Sequence, residues 1–597
     1  MTSLTSTIRH KAAEAFLALF PDSGITPEDI TINETKPEFT GDYTIVLFPF
    51  IKKLRQSPEA LGEQLGQRLV AGDPLFTAYE VIKGFLNLTV QDSYFIGFVK
   101  DHYKDAGFGK HAPKDAAIMV EYSSPNTNKP LHFGHLRNNF LGWSVSEILK
   151  ENGYRVIKAN LVNDRGIHIC KSMIAWMRYA NGATPESTGI KGDHLVGDYY
   201  VKFNDAYKAE IAELTAQGKT QEEAEKEAPI MQEAQELLRK WEAGDPEVYS
   251  LWKKMNGWVY EGFDITYKAL GLDFDKYYYE SDTYLLGKHL VEEGLQKGIL
   301  FKKENGSVWI DLTEDGLDEK LLLRADGTSV YMTQDMGTAQ LKYNDYHTQK
   351  SIYVIADEQN YHMQVLRLIM QKLGEPCADG IYHLSYGMVE LPSGRMKSRE
   401  GTVVDADDMI AEMISLAKAQ TESAGKTEGF TDEELEALYK TIGLGALKFY
   451  LLRVEPRKKM IFNPAESIDL HGFTATFIQY AHARICSILK KNEGWEGRIT
   501  ALDISNQPLA PLEKAILLHL EQYPQIVAQA ADEYNPSVLC NYAFKLAQSF
   551  NSFFDKHSII RAENDNIKTV RLLLASMTAS ILKRTMGMLG IQVPERM

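Results

Sequence analysis

The chain is poor in cysteine: Cys170, Cys377, Cys486 and Cys540 are the only four in 597 residues, far apart and without a paired CxxC spacing. That excludes a disulfide scaffold, argues against a structural zinc site, and fits core thiols in a reducing compartment. Long apolar runs are also missing, so no membrane span is expected. The opening MTSLTSTIRHKAAEAFLALF is amphipathic and lacks the apolar block and small-residue cleavage site of a secretory signal. A cytoplasmic protein is expected. No tandem repeat and no extended low-complexity tract occurs.

Positive charge is in deficit as well, with 65 Lys and Arg against 81 Asp and Glu and a net charge of −16. A uniformly acidic surface would repel nucleic acid, but the deficit is uneven. From Thr441 onward 18 Lys and Arg stand against 14 Asp and Glu, a surplus of four that leaves −20 for the rest. The last quarter is therefore able to hold a polyanion, with ordinary surface variation as the competing reading.

What is present is a globular composition, 44% hydrophobic and 24% charged, over 597 residues. One hydrophobic core does not grow to that size, and about three to four domains are expected. Residues 1–110 mix an N-terminal helix with strand-like YTIVLF and FLNLTV and end in the Gly, Lys and Pro punctuation of DAGFGKHAPKD, which reads as a small α+β domain. Residues 111–440 read as a doubly wound, Rossmann-like parallel-sheet domain. AAIMVEY is a buried strand, the apolar spacing from Leu136 to Leu149 is helical, and YRVIKANLV is a second strand. SIYVIAD, YHMQVLRLIMQKLG and IYHLSYGMVEL repeat that strand, helix and strand order. Between the halves, around 185–330, lie a charged helical stretch, expected to be solvated and away from any site, and hairpin signals at Asn305-Gly306 and Asp326-Gly327. Residues 441–597 lose the strands and read as an all-α bundle.

The chemistry concentrates in EYSSPNTNKPLHFGHLRNNF. His132 and His135 fall between a strand and a helix N-terminus, where free amides and the helix dipole attract phosphate. Two imidazoles there can donate to a triphosphate whose charge builds during attack at the α-phosphorus, and Lys129 adds a mobile cation. Gly134 is expected to leave room for a nucleotide to approach the backbone.

This stretch resembles the first signature of class I aminoacyl-tRNA synthetases, and Glu121, Ser123, Ser124, Pro125, Asn126, Lys129, His132, Gly134, His135 and Arg137 match its arginyl form. NDRG, YMTQD, IQYAHAR and the ending LGIQVPERM fit the same family. The resemblance implies an arginine:tRNA ligase that forms arginyl-adenylate from arginine and MgATP and passes it to the terminal 2′-hydroxyl of tRNA(Arg). It implies that Ser124, Asn126, His135, Tyr331, Asp335 and Gln359 contact arginine. Chemistry agrees for Tyr331 and Asp335, four apart and so on one helical face, because a planar five-donor guanidinium needs a carboxylate and further acceptors. Asn163 and Asp164 either line the same cleft or act as caps.

GRMKSREG resembles the family's second, lysine-bearing KMSKS signature, but Ser398 stands where its second lysine belongs. The resemblance implies that Met396, Lys397 and Ser398 meet ATP, with Lys397, Arg399 and Lys129 supplying charge. The metal would be held mainly by phosphates and water, so no structural metal is expected. It further implies a monomer whose tRNA contacts include Phe85 and Asn87 near the N-terminus and Arg457, Lys458, Gln479, Tyr480, Arg484 and Met597 in the helical region. Phe477 is assigned to packing. The open alternatives are a small-molecule nucleotidylyltransferase, another class I synthetase, and an RNA-binding paralogue without activity.

Overall fold

The computed structural model describes residues 3–36, 38–392, 404–425, 427–505 and 507–597. At the N-terminus the helices Leu4–Leu19 and Pro58–Gly72 accompany a four-stranded antiparallel sheet, ordered Ile32–Glu34, Tyr43–Val46, Phe85–Val90, Phe76–Ile82. Ser3 and Ser57 begin those helices by accepting from Ser6 and Ala60 amides, the oxygen-bearing caps that orphan N–H groups require.

The central sheet has five strands: β1 (Ala117–Glu121), β2 (Arg155–Val162), β3 (Lys276–Tyr279), β4 (Lys350–Ala356) and β5 (Ile381–Tyr386). All pairs are parallel and the order is β5-β4-β1-β2-β3. Every residue of β1 is buried, and its first four are apolar, as a strand covered on both faces demands. Helix α1 (Phe133–Glu151) makes the crossover from β1 to β2. The order in which the chain visits the strands reverses between β1 and β4, so the open crevice of the sheet lies beyond their C-terminal ends. Helix α2 (Tyr331–Tyr346) precedes β4, and α3 (Asn360–Leu373) joins β4 to β5.

The insertion follows β2 as the helices Ile167–Tyr179, Gly192–Ala216, Pro229–Glu242 and Pro246–Leu270. A small antiparallel sheet, Leu300–Lys302, Val308–Ile310 and Lys320–Leu323, comes after β3. Asn305-Gly306 turns its first hairpin, and Asp326-Gly327 turns the chain back toward α2, both glycines having positive φ (88° and 78°).

The last region contains α4 (Asp432–Leu452), α5 (Ala475–Lys490), α6 (Pro511–Asp532), α7 (Pro536–Lys556) and α8 (Asp565–Met588). The boundary expected after residue 440 falls inside α4, so one continuous helix carries the chain into the bundle. Buried polar contacts fasten the N-terminal domain to α6. Glu521 accepts from the Leu4 amide (2.6 Å) and the Tyr43 hydroxyl (3.2 Å), and Lys514 pairs with Asp42 (2.8 Å). Burial pushes both carboxyls, Glu521 and Asp42, upward.

Candidate active site

The loop leaving β1 places Ser123 and Ser124 at φ 75° and 46°, left-handed conformations that cost a residue with a Cβ about 1 kcal/mol or more each. Surrounding side chains hold them there. The Ser123 amide donates to Asn138 Oδ1 (2.6 Å) and its hydroxyl shares a hydrogen with the Tyr267 hydroxyl (2.6 Å); the Ser124 amide donates to Asn160 Oδ1 (3.1 Å). Asn138 also donates to the Val354 carbonyl of β4 (2.6 Å), so one α1 side chain spans the point where strand order reverses. Asn163 braces the same loop by donating to the Ser124 carbonyl (3.1 Å) and also lines a cavity. Asp164 is buried and accepts from Ser281 and Tyr260, which makes it a fastener of the insertion. Gly142 allows α1 to lie against Tyr122, whose Cβ would otherwise be 2.4 Å from a side chain there.

His132 is the N-cap of α1. Its Nδ1 accepts from the Gly134 amide (3.1 Å), and His135 Nδ1 accepts from the His132 amide (3.0 Å). In a neutral ring the proton then sits on Nε2, which makes each imidazole a donor at its outer edge. Both rings stay neutral: burial and the nearby Lys129 push His132 down to about 3, and burial, His132 and Lys129 hold His135 well below the usual imidazole range. The ring centroids are 3.9 Å apart. A Cβ on Gly134 would stand 2.9 Å from His132 Cε1, so the room expected for a nucleotide is taken by an imidazole. Lys129 is half-buried; burial alone lowers its pKa, and no carboxylate neutralises it among the described residues.

The segment carrying His132 pairs with Val404–Ala406: Phe133 donates to the Val404 carbonyl (2.9 Å) and Ala406 to that of Leu131 (3.0 Å). Asp405 caps the following helix, and Asp407 accepts from Lys191 (2.6 Å), Thr266 (2.9 Å) and His194 (3.2 Å). Burial opposes ionisation of Asp407, but His194, Lys191 and Thr266 outweigh it and hold the carboxyl well below the usual range. His194, Asp405 and Asp407 lie close enough to share a cation. The Lys191 ammonium already supplies that charge, and the cluster joins the insertion to the histidine segment.

Two cavities adjoin. The first, about 530 Å³, is bounded by Lys129, His132, His194, Tyr200 and Asp405. The second, about 710 Å³, is bounded by Arg165, Glu280, Tyr331 and Asp335, and Asn126, Asn128 and His168 line both. Tyr331 is 76% exposed. Asp335, one turn along α2, accepts from His362 Nε2 (2.6 Å). Burial, with Asp164 and Asp335 nearby, pushes Glu280 up to about 7 against the pull of Arg165. Gln359 is exposed on the turn before α3, and neither it nor Ser124 nor His135 is part of either cavity wall. Arg395, Met396, Lys397, Ser398 and Arg399 lie outside the described residues.

The insertion is not remote, contrary to the expectation for residues 185–245. Gly197, Asp198, Tyr200 and Val201 wall the first cavity, while Leu238 and Glu242 wall the second. Its charge pattern describes the outward faces of its helices, and a few inward residues carry the contact. Trp241 and Tyr284 stack on the Arg165 guanidinium, which pairs with Glu242 at 2.5 Å. Glu121, buried in β1, pairs with the equally buried Lys342 of α2. Arg165, His168, His194 and Glu280 were missed at the sequence level; Arg165 at least adjoins the Asn163-Asp164 pair singled out there.

The residues expected to meet RNA divide. Phe85 is 38% exposed, edge-on to Phe48. Arg457 and Lys458 are exposed, and Arg484 lies over Tyr480 and Phe554 while donating to Asn551. Asn87 and Gln479 do not reach the surface: Asn87 accepts from Thr44 inside the sheet, and Gln479 donates to the Thr441 and Gln592 carbonyls. Met597 is partly buried against the core, and Phe477 packs on Phe544. Arg137, buried and lowered to about 10 by that burial, donates to the Gly387, Lys458 and Glu455 carbonyls, tying α1 to the basic segment.

Comparison with known proteins meets this geometry. Residues 101–463 match the family model described as tRNA synthetases class I (R), catalytic domain. Residues 2–90 match the arginyl tRNA synthetase N terminal domain, and 478–597 the DALR anticodon binding domain. An arginine–tRNA ligase of Bacteroides thetaiotaomicron is 53% identical over 95% of this chain and 96% of its own length. One from Porphyromonas gingivalis is 50% identical over the whole of both chains. The Thermus thermophilus arginyl-tRNA synthetase structure superposes with a TM-score of 0.80 at 24% identity, covering all of both chains. By sequence and by fold, the chain belongs to the arginyl-tRNA synthetase family of class I.

Proposed function

We propose that this protein is an arginine:tRNA ligase, with ATP and arginine held in the two adjoining cavities. The observation that carries the reading is the juxtaposition of neutral imidazole donors and an unneutralised lysine, at a helix N-terminus, with a second cavity walled by Tyr331 and Asp335. The first set suits a polyphosphate and the second a planar cation.

In the first step the arginine carboxylate attacks the α-phosphorus of MgATP in line, forming arginyl-adenylate as pyrophosphate leaves. Nε2–H of His132 and of His135 would donate to the phosphate oxygens on which charge builds, and Lys129 would draw on the departing pyrophosphate. The metal would come with the nucleotide. In the second step the 2′-hydroxyl of the tRNA's terminal adenosine attacks the acyl carbon and AMP leaves. Most of the catalysis is positioning and charge stabilisation.

Residues 1–110 are assigned to the elbow of the tRNA, 111–440 to catalysis and 441–597 to the anticodon. The surplus of basic residues after Thr441 and the exposed Phe85, Arg457 and Lys458 support that division. A cytoplasmic location is the accompanying assignment, supported by four cysteines that are all free; the monomer is assigned on the family resemblance alone. The test is single-turnover aminoacylation of tRNA(Arg): arginyl-tRNA should form, and Asp335→Asn should shift arginine saturation to about a hundredfold higher concentration or more without weakening ATP. Product with intact saturation in that variant would remove Asp335 from the site.

A further inference from the structure

Asp335 makes one hydrogen bond among the described residues, from His362 Nε2 to its Oδ2 at 2.6 Å. The two side chains come from different helices, α2 and α3, and are 37% and 31% exposed. A carboxylate so open to water, on a side chain with two free torsions, would ordinarily sample several orientations. Reading a guanidinium is sensitive to that, because its donors lie in one plane and pair best with a carboxylate lying in the same plane. The His362 contact restricts that freedom. It also leaves Oδ1 entirely free and Oδ2 with one remaining acceptor position, so the carboxylate can still take two parallel donors.

We propose that His362 is a positioning residue for arginine recognition, fixing the plane of the Asp335 carboxylate against which the substrate's guanidinium is read. The proposal rests on the reading that Asp335 meets that guanidinium. Its effect is confined to the amino-acid side: among the described residues the hydrogen bond and ion pair of His362 go to Asp335, and it lines neither cavity itself.

The test is steady-state pyrophosphate exchange with the full-length protein and tRNA(Arg), varying arginine and ATP separately. His362→Leu should raise the arginine KM roughly tenfold and leave kcat and the ATP KM within about twofold. His362→Gln keeps an N–H donor at similar reach and should bring the arginine KM back to within about threefold of the parent. Asp335→Asn, run alongside, should raise the arginine KM by about a hundredfold or more. An arginine KM that is unmoved or lowered in His362→Leu overturns the proposal, as does a Gln variant that fails to rescue. A loss shared equally by kcat and both KM values also overturns it, because it marks a general disturbance. If Asp335→Asn itself leaves the arginine KM unchanged, the reading of Asp335 fails; if only the His362 variants are silent, that reading stands and the positioning role alone falls.

Discussion

The two halves of the site are built differently. On the phosphate side both imidazoles are turned and neutralised before any ligand arrives, by backbone amides and by burial. The segment beside them is pinned by Lys191, His194 and Thr266 on Asp407. On the arginine side Tyr331 and Gln359 stand in solvent and Asp335 has a single hydrogen-bond partner among the described residues. Charge stabilisation in a transition state gains most from dipoles that need no reorganisation, whereas recognition of a soluble amino acid can be completed as it binds. Substitutions on the closed side should therefore act on rate, and those on the open side on arginine saturation.

The sharpest break of that comparison is Lys129→Ala. Pyrophosphate exchange should slow by about a hundredfold or more while the arginine KM stays within about threefold; equal effects on both would merge the two halves. Next, Arg137→Met should lower unfolding stability by about 3 kcal/mol in a urea titration, because one buried and two part-buried carbonyls lose the charged donor that a buried guanidinium supplies. A stability unchanged within error would mean that α1 does not depend on its tie to the 455–458 segment. Asp407→Asn should reduce the exchange rate by roughly tenfold without moving the arginine KM. A rise in that KM instead would show that the cluster serves the open side.

A further effect is on acid stability. His132 is lowered from 6.5 to about 3 in the fold, so the unfolded chain binds its proton first as the pH falls. The stabilisation is complete above about 6.5 and is lost progressively down to about 3. His132→Asn should flatten the fall of the thermal midpoint across that window, and an unchanged slope would mean that the ring is not held neutral by the fold.

The same contrast explains what could be read from residues alone. The phosphate side was legible because it is nearly contiguous: strand, loop, lysine, histidine pair and helix follow one another from Ala117 to Glu151. Tyr331 and Asp335 were legible as a pair because helical spacing puts them on one face. The walls supplied by Tyr200, Glu242 and Glu280 were not, since nothing local marks which residues of a charged helix turn inward. Asn87 and Gln479 were misplaced for a related reason. A polar side chain is ordinarily assigned to the surface, yet each is consumed by an internal hydrogen bond that only the packed fold provides. Gly134 shows the limit at one position: glycine signals a close approach, but not that the approaching group is the neighbouring His132 ring.

The most direct measurement is pyrophosphate exchange with each standard amino acid, with and without tRNA(Arg). Exchange with arginine alone, requiring the tRNA, is the result this account predicts. Exchange driven by a different amino acid, or by none while ATP is still consumed, would contradict it.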